Sequence, residues 1–196
     1  MPAKGPRRFR GSPRRPRPNR EQLTRYFVGT EGQGERALAR WLESLCVDVG
    51  HKILFEVPGV GPGGGSTRIV VQRTLTNRSH SRRGPYFRTL VFLDADRRMA
   101  DGPDAEMLAH REQIHLVWQT PNLEGLLLRL FPDQENRKPP ADQTLNELKR
   151  YWPNYEKNKI GRADLKERFS LSDLQRVARF DNDLLMLLRE LRLDDA

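Results

Sequence analysis

The feature that most constrains the fold is an alternation. Between Tyr26 and Phe131, short apolar runs of strand length trade places with segments of helical period. Tyr26–Gly29, Ile53–Val57, Arg88–Leu93 and Ile114–Trp118 read as strands. Thr30-Glu31-Gly32-Gln33-Gly34 turns out of the first, and Ala37, Leu38, Trp41, Leu42, Leu45, Cys46 and Val49 then recur on one helical face. Ser66 or Thr67 is placed to cap a second helix through Ile69, Val70, Thr74 and Leu75. A charged helix is expected around Asp104–Gln113 and an apolar one over Leu123–Phe131. Strands alternating with helices in this way form an α/β domain of three layers, a mostly parallel sheet of about four strands with helices on its faces. Chemistry in such sheets collects at the carboxyl ends of the strands. Glu31 lies just past the first strand, and Asp94 and Asp96 close the third, so neighbouring strands would bring three carboxylates to one edge.

The rest of the chain divides around this core. Residues 1–20 hold eight Lys and Arg and no acid, with five prolines, so they cannot bury enough surface to offset the entropy of ordering. A disordered basic tail is expected there, either solubilising or binding phosphates. Residues 21–135 form the α/β domain. Residues 136–196 form a helical extension, joined to the domain by a Pro-containing linker or long loop over 132–142. Within it a helix is expected near Thr144–Tyr151, then a polar segment through Tyr155, Lys157 and Lys159, then two closing helices. The first of these starts at Ser172 with Gln175 in capping-box spacing. The second, from about Asp183 to Leu193, carries a stripe of Leu184, Leu187, Leu188 and Leu191 that suits a core or an oligomer surface equally.

Composition removes several classes. With 196 residues, a mean hydropathy of −0.76 and no apolar run near ~18 residues, a membrane-spanning helix is not expected. A single cysteine, Cys46, excludes an intrachain disulfide and a Cys-built zinc site. No secretory signal is evident, so a cytoplasmic protein is expected. Beyond the tail, 27 basic side chains nearly balance 26 acidic ones. That balance fails in one place: from Val57 to Leu93 there is no Asp or Glu, while Arg68, Arg73, Arg78, Arg82, Arg83 and Arg88 all occur. Arginine's planar fork binds phosphate oxygens in pairs, so this stretch reads as a nucleic-acid face, with Lys157 and Lys159 as further phosphate contacts.

Among candidate motifs, Gly59-Val60-Gly61-Pro62-Gly63-Gly64 matches the dinucleotide pattern but lacks an acid about 20 positions on for the ribose. The phosphate-loop pattern fails as well, since Gly65 stands where Lys is needed. His51, His80, His110 and His115 have no metal-ligand spacing, and Ser66 and Cys46 have no visible base partner. Trp41, Trp118 and Trp152 are read as core. Asp94-Ala95-Asp96 is the strongest local signal: in an extended segment the two carboxylates project from one side and offer hard oxygen ligands to Mg²⁺ or Mn²⁺. Glu31 completes a catalytic and metal-binding set.

Phe27-Val28-Gly29-Thr30-Glu31-Gly32 and Val91-Phe92-Leu93-Asp94-Ala95-Asp96, taken in order, resemble the Toprim domain of topoisomerases, primases and OLD-family nucleases. Within that group the chain is most similar to the RloB-like family of restriction and phage-defence loci, whose E-G-x-x-E is matched by Glu31, Gly32 and Glu35. Gly63-Gly64-Gly65-Ser66, Thr120 through Phe131 and Tyr155-Glu156-Lys157 fit further family segments, although Leu126 replaces a Trp and Leu130 a His. The resemblance implies a metal-dependent nuclease in which Glu31, Asp94 and Asp96 serve the metal and Glu31 is a ligand or general base. Glu124 and Glu35 are candidates for a second ion, and a partner ATPase belongs to the same picture. The alternative is a non-catalytic nucleic-acid-binding module that acts through a partner.

Overall fold

The computed structural model describes residues 23–59 and 65–194. The expectations for the 1–20 tail and for residues 60–64 of the glycine loop lie outside the described residues. Four strands, β1 (Thr24–Gly29), β2 (Ile53–Glu56), β3 (Arg88–Asp94) and β4 (Ile114–Gln119), form one all-parallel sheet in the order β2-β1-β3-β4. Between them run α1 (Gln33–Asp48), α2 (Thr67–His80) and α3 (Arg98–Arg111), followed by α4 (Leu123–Arg129). Four more helices close the described chain: α5 (Thr144–Tyr151), α6 (Arg162–Arg168), α7 (Leu171–Ala178) and α8 (Asn182–Leu191). The chain first winds outward to β2 and then crosses back past β1 to β3. The gap between the carboxyl ends of β1 and β3 is therefore the topological switch point where crevices form in doubly wound sheets.

Strand periodicity builds the layers. In β3, Leu90 and Phe92 point into one apolar core and Val91 and Leu93 into the other. The larger core joins Tyr26, Val28, Phe55 and Val117 to α1, α4 and the closing helices; the smaller takes α2 and α3. Trp41, Trp118 and Trp152 are all buried, and so is Cys46, whose thiol is pushed up to about 12 by burial. α2 lies so close to β1 that a Cβ on Gly29 would stand 1.9 Å from Thr74 Oγ1. No helix among the described residues is long and apolar enough to cross a membrane.

Several boundaries differ from the sequence reading. α3 begins at Arg98, not near Asp104, because a 3₁₀ turn over Ala95–Arg97 feeds it and the helix runs through Pro103. α6 was not anticipated: only Leu165 in it is buried, so it has no apolar stripe. α7 starts two residues earlier than expected. Its cap is Ser170, whose backbone N–H and hydroxyl both donate to Asp173 Oδ2, at 2.9 and 2.7 Å. The Leu184, Leu187, Leu188 and Leu191 stripe of α8 lies inside the larger core, which corrects the oligomer-surface option. A fully buried Arg129 ties α4 to this extension through an ion pair with Asp181, whose other oxygen caps α8 by accepting from Leu184 N–H at 3.0 Å.

Candidate functional site

The ends of β1 and β3 place the acids. Gly29 pairs in register with Val91, so the turn after β1 and the last residues of β3 leave the sheet side by side. Glu31 sits in that turn. Glu31 and Asp94 are close enough to act on each other: the Asp94 backbone N–H favours the ionised Glu31, and the Glu31 charge raises Asp94. Asp94 itself is clamped from the far side: its Oδ1 accepts from the backbone N–H of Leu123, at 3.0 Å, in the first turn of α4. Helix starts expose unpaired N–H groups, and a carboxylate is their natural partner. α1 adds Glu35, whose Oε2 accepts from the Gly32 N–H at 2.7 Å just before the helix. The two helix starts touch here, since a Cβ on Gly34 would lie 2.4 Å from Leu123 Cδ2.

Electrostatics show how tightly the acids are gathered. Burial raises the Asp94 carboxyl from 3.8 to about 8, and Glu35, Glu31 and Asp96 push it in the same direction. Glu31 is raised chiefly by burial, against the Arg97 guanidinium and the Asp94 N–H, while Asp96 and Asp101 add to the rise. Glu35 is raised by burial and by Glu31 and Glu124. One oxygen, Glu31 Oε2, is buried with no hydrogen-bond partner. Glu124, almost wholly buried, accepts from the Tyr155 hydroxyl at 3.1 Å and lies 3.7 Å from Lys157 Nζ. Burial and the nearby Glu124, Glu35 and Asp94 drive the Tyr155 pKa upward, so this hydroxyl remains a donor.

One expectation needs correction. Asp94-Ala95-Asp96 is not one extended segment. Asp94 ends β3 and Asp96 lies exposed in the 3₁₀ turn, its N–H donating to the Pro121 carbonyl at 2.8 Å. The two carboxylates thus do not share a strand face. Among the described residues, no group of three or more His, Cys, Asp or Glu side chains is arranged to hold a metal ion, so Glu31, Asp94, Asp96 and Glu124 do not form a closed cage. Strand order brings the acids together, but the turn sends Asp96 to the rim and Tyr155 with Lys157 draws Glu124 aside. The donor chemistry still suits Mg²⁺. This ion takes one or two protein carboxylates and keeps water elsewhere. Glu31 with its unpartnered Oε2 and the repelled Asp94 are the groups a divalent cation would relieve.

The arginine stretch is not one face. α2 runs from the carboxyl edge back along the whole depth of the sheet, about 21 Å for its length. Arg68 and Arg73 therefore stand at the acid end. Arg68 forms an exposed pair with Asp104, and Arg73 donates to the Thr30 carbonyl at 3.2 Å. Arg78, Arg82, Arg83 and Arg88 lie toward or at the opposite edge, where Arg78 donates to Thr89 Oγ1 and Arg88 pairs with Glu190. Lys157 faces Glu124, whereas Lys159 is an exposed partner of Glu156. Arg97 is a residue that sequence reasoning left out of the site. It reaches Gly65 O at 2.7 Å and Asp101 Oδ2 at 3.2 Å while also lowering Glu31. Its position directly after the acidic pair was the available signal.

Fold and site together define a doubly wound α/β protein with an acidic centre at its switch point. No protein-family model, curated protein or solved structure matches the chain.

Proposed function

We propose that the chain is a Mg²⁺- or Mn²⁺-dependent phosphodiesterase acting on nucleic acid, a nuclease of Toprim, RloB-like type. The observation that supports this most is the approach of Glu31 and Asp94 at the switch point, where the Gly29–Val91 register brings the ends of β1 and β3 side by side and burial with surrounding acids raises Asp94 to about 8. Glu31 and Asp94 would hold the cation, with Asp96 at the rim and Glu124 behind. Bound there, a divalent cation would neutralise charge on the phosphate oxygens. Glu31 Oε2, buried and unpartnered, is the oxygen with capacity to take a proton from an attacking water. Tyr155 and Lys157 orient Glu124, and Arg68, Arg73 and Arg97 at this end of the sheet would position a phosphate. On the same resemblance the setting is phage defence or restriction, and an ATPase is the partner class to test.

The decisive experiment incubates the full chain with plasmid DNA and with RNA, with and without Mg²⁺ or Mn²⁺, beside Asp94→Asn. Metal-dependent cutting that the variant loses supports the proposal. Undiminished cutting by Asp94→Asn refutes it. Binding without cutting or metal response assigns the chain to the non-catalytic module.

A further inference from the structure

A second feature occupies the edge opposite the acids. All four strands begin there, and so does the fold itself, since Leu23 leads into β1 and joins it to the eight basic residues of 1–20. Phe87, just before β3, is 65% exposed at this edge. It is not loosely held. Its N–H donates to the Arg25 carbonyl at 2.7 Å, and its ring packs edge-on against Tyr26 with centroids 5.6 Å apart. The Arg88 guanidinium lies 5.9 Å from the ring centroid.

Three adjoining clefts, of about 960, 450 and 400 Å³, all have Phe87 in their walls. Arg78, Arg88, Arg189 and His110 line them, against Glu112 and Glu190. Glu190 is already paired with Arg88 at 2.8 Å, and Arg189 meets Asp194 only at 3.6 Å. The long Arg189–Asp194 pair is the exposed kind that contributes little, which leaves Arg189 open to a phosphate, whereas Glu190 is mostly buried and keeps its hold on one side of Arg88. Helix carbonyl ends gather at this edge and have the wrong polarity for an anion, so any phosphate must be held by the arginines. Half-exposed cations beside one rigid, accessible aromatic ring form the arrangement that binds single strands, where unstacked bases offer a π-face. A duplex keeps its bases stacked inside and cannot use the ring.

We propose that this amino-edge groove binds single-stranded nucleic acid, one base stacking on Phe87 and the flanking phosphates held by Arg78, Arg88 and Arg189. The surface requires no metal and none of the carboxyl-edge acids, so it stands apart from the nuclease proposal. It also absorbs Arg78 and Arg88, which the acid site leaves unused.

The test is fluorescence anisotropy of a labelled oligothymidylate of about a dozen nucleotides with the full chain in EDTA. Phe87→Ala should weaken binding at least about five-fold and Phe87→Tyr should preserve it. Arg189→Ala should lower the slope of log affinity against log salt by about 0.7. Binding in EDTA separates this surface from the catalytic proposal, since cutting at the acid site requires the metal. Unchanged affinity in Phe87→Ala with an unchanged melting curve overturns the inference. So does an equally tight duplex that ignores the substitution, or displacement of the oligonucleotide by polyglutamate at equal charge, which would mark an acidic protein as the ligand.

Discussion

Asp94→Asn should separate the chemistry of the site from the stability of the fold. The substitution preserves shape, and the Asn oxygen can still accept from Leu123 N–H, a bond of 3.0 Å in the parent. What disappears is an ionisation. In metal-free protein the Asp94 carboxyl titrates at about 8 instead of 3.8, so between those values the folded chain holds a proton that the unfolded chain has released. Stability must then fall as pH rises, by about 1.4 kcal/mol per unit for this one group. By about pH 7 the accumulated cost is on the order of 4 kcal/mol, and at about pH 5 it is only about 1–2 kcal/mol. Asn carries no such cost. The variant should therefore be more stable than the parent by a margin that widens from acid to neutral pH, even though it has lost a proposed metal ligand. Urea unfolding followed by Trp fluorescence in EDTA, at several values between about pH 5 and pH 8, measures that margin. Saturating Mg²⁺ should then restore the parent at the alkaline end and leave the variant unmoved, since a cation favours the ionised carboxylate. A margin that is constant or narrows with pH would refute the reasoning, because it would mean that Asp94 ionises as easily in the fold as outside it.

Two further outcomes follow from packing. Gly29→Ala places a Cβ 1.9 Å from Thr74 Oγ1, so it should cost about 1–3 kcal/mol by forcing α2 from β1, and adding Thr74→Ala should recover part of that in urea midpoints. Arg129→Met leaves Asp181 buried and uncompensated and should destabilise by about 3–5 kcal/mol, whereas Arg129→Met with Asp181→Asn should lose markedly less by thermal denaturation.

Much of the architecture was legible because it is local. The unbroken apolar run of Leu90, Val91, Phe92 and Leu93 already says that β3 is covered on both faces, and the spacing from Ala37 to Cys46 already says that α1 buries one stripe. Four strands, their parallel direction and the placement of Glu31 and Asp94 at carboxyl ends follow from that pattern. Capping is local as well, yet Ser170 and Ser172 both satisfy the spacing, and only the structure selects the first.

Adjacency, by contrast, is set by topology. That β1 and β3 are neighbours, so that Glu31 meets Asp94, depends on the chain crossing back after β2, which no window of sequence records. The arginines between Val57 and Leu93 are contiguous in sequence and yet lie at both ends of the sheet, because a helix antiparallel to the strands carries successive turns from one edge to the other. Nothing local marks Arg129 as buried; the closing helices cover it and supply Asp181. The sequence alone determined which segments are strands and helices and which acids and bases the chain can offer. The tertiary structure decided which of them share an edge, since periodicity reports the face a residue presents and only the path of the chain sets what comes to lie against it.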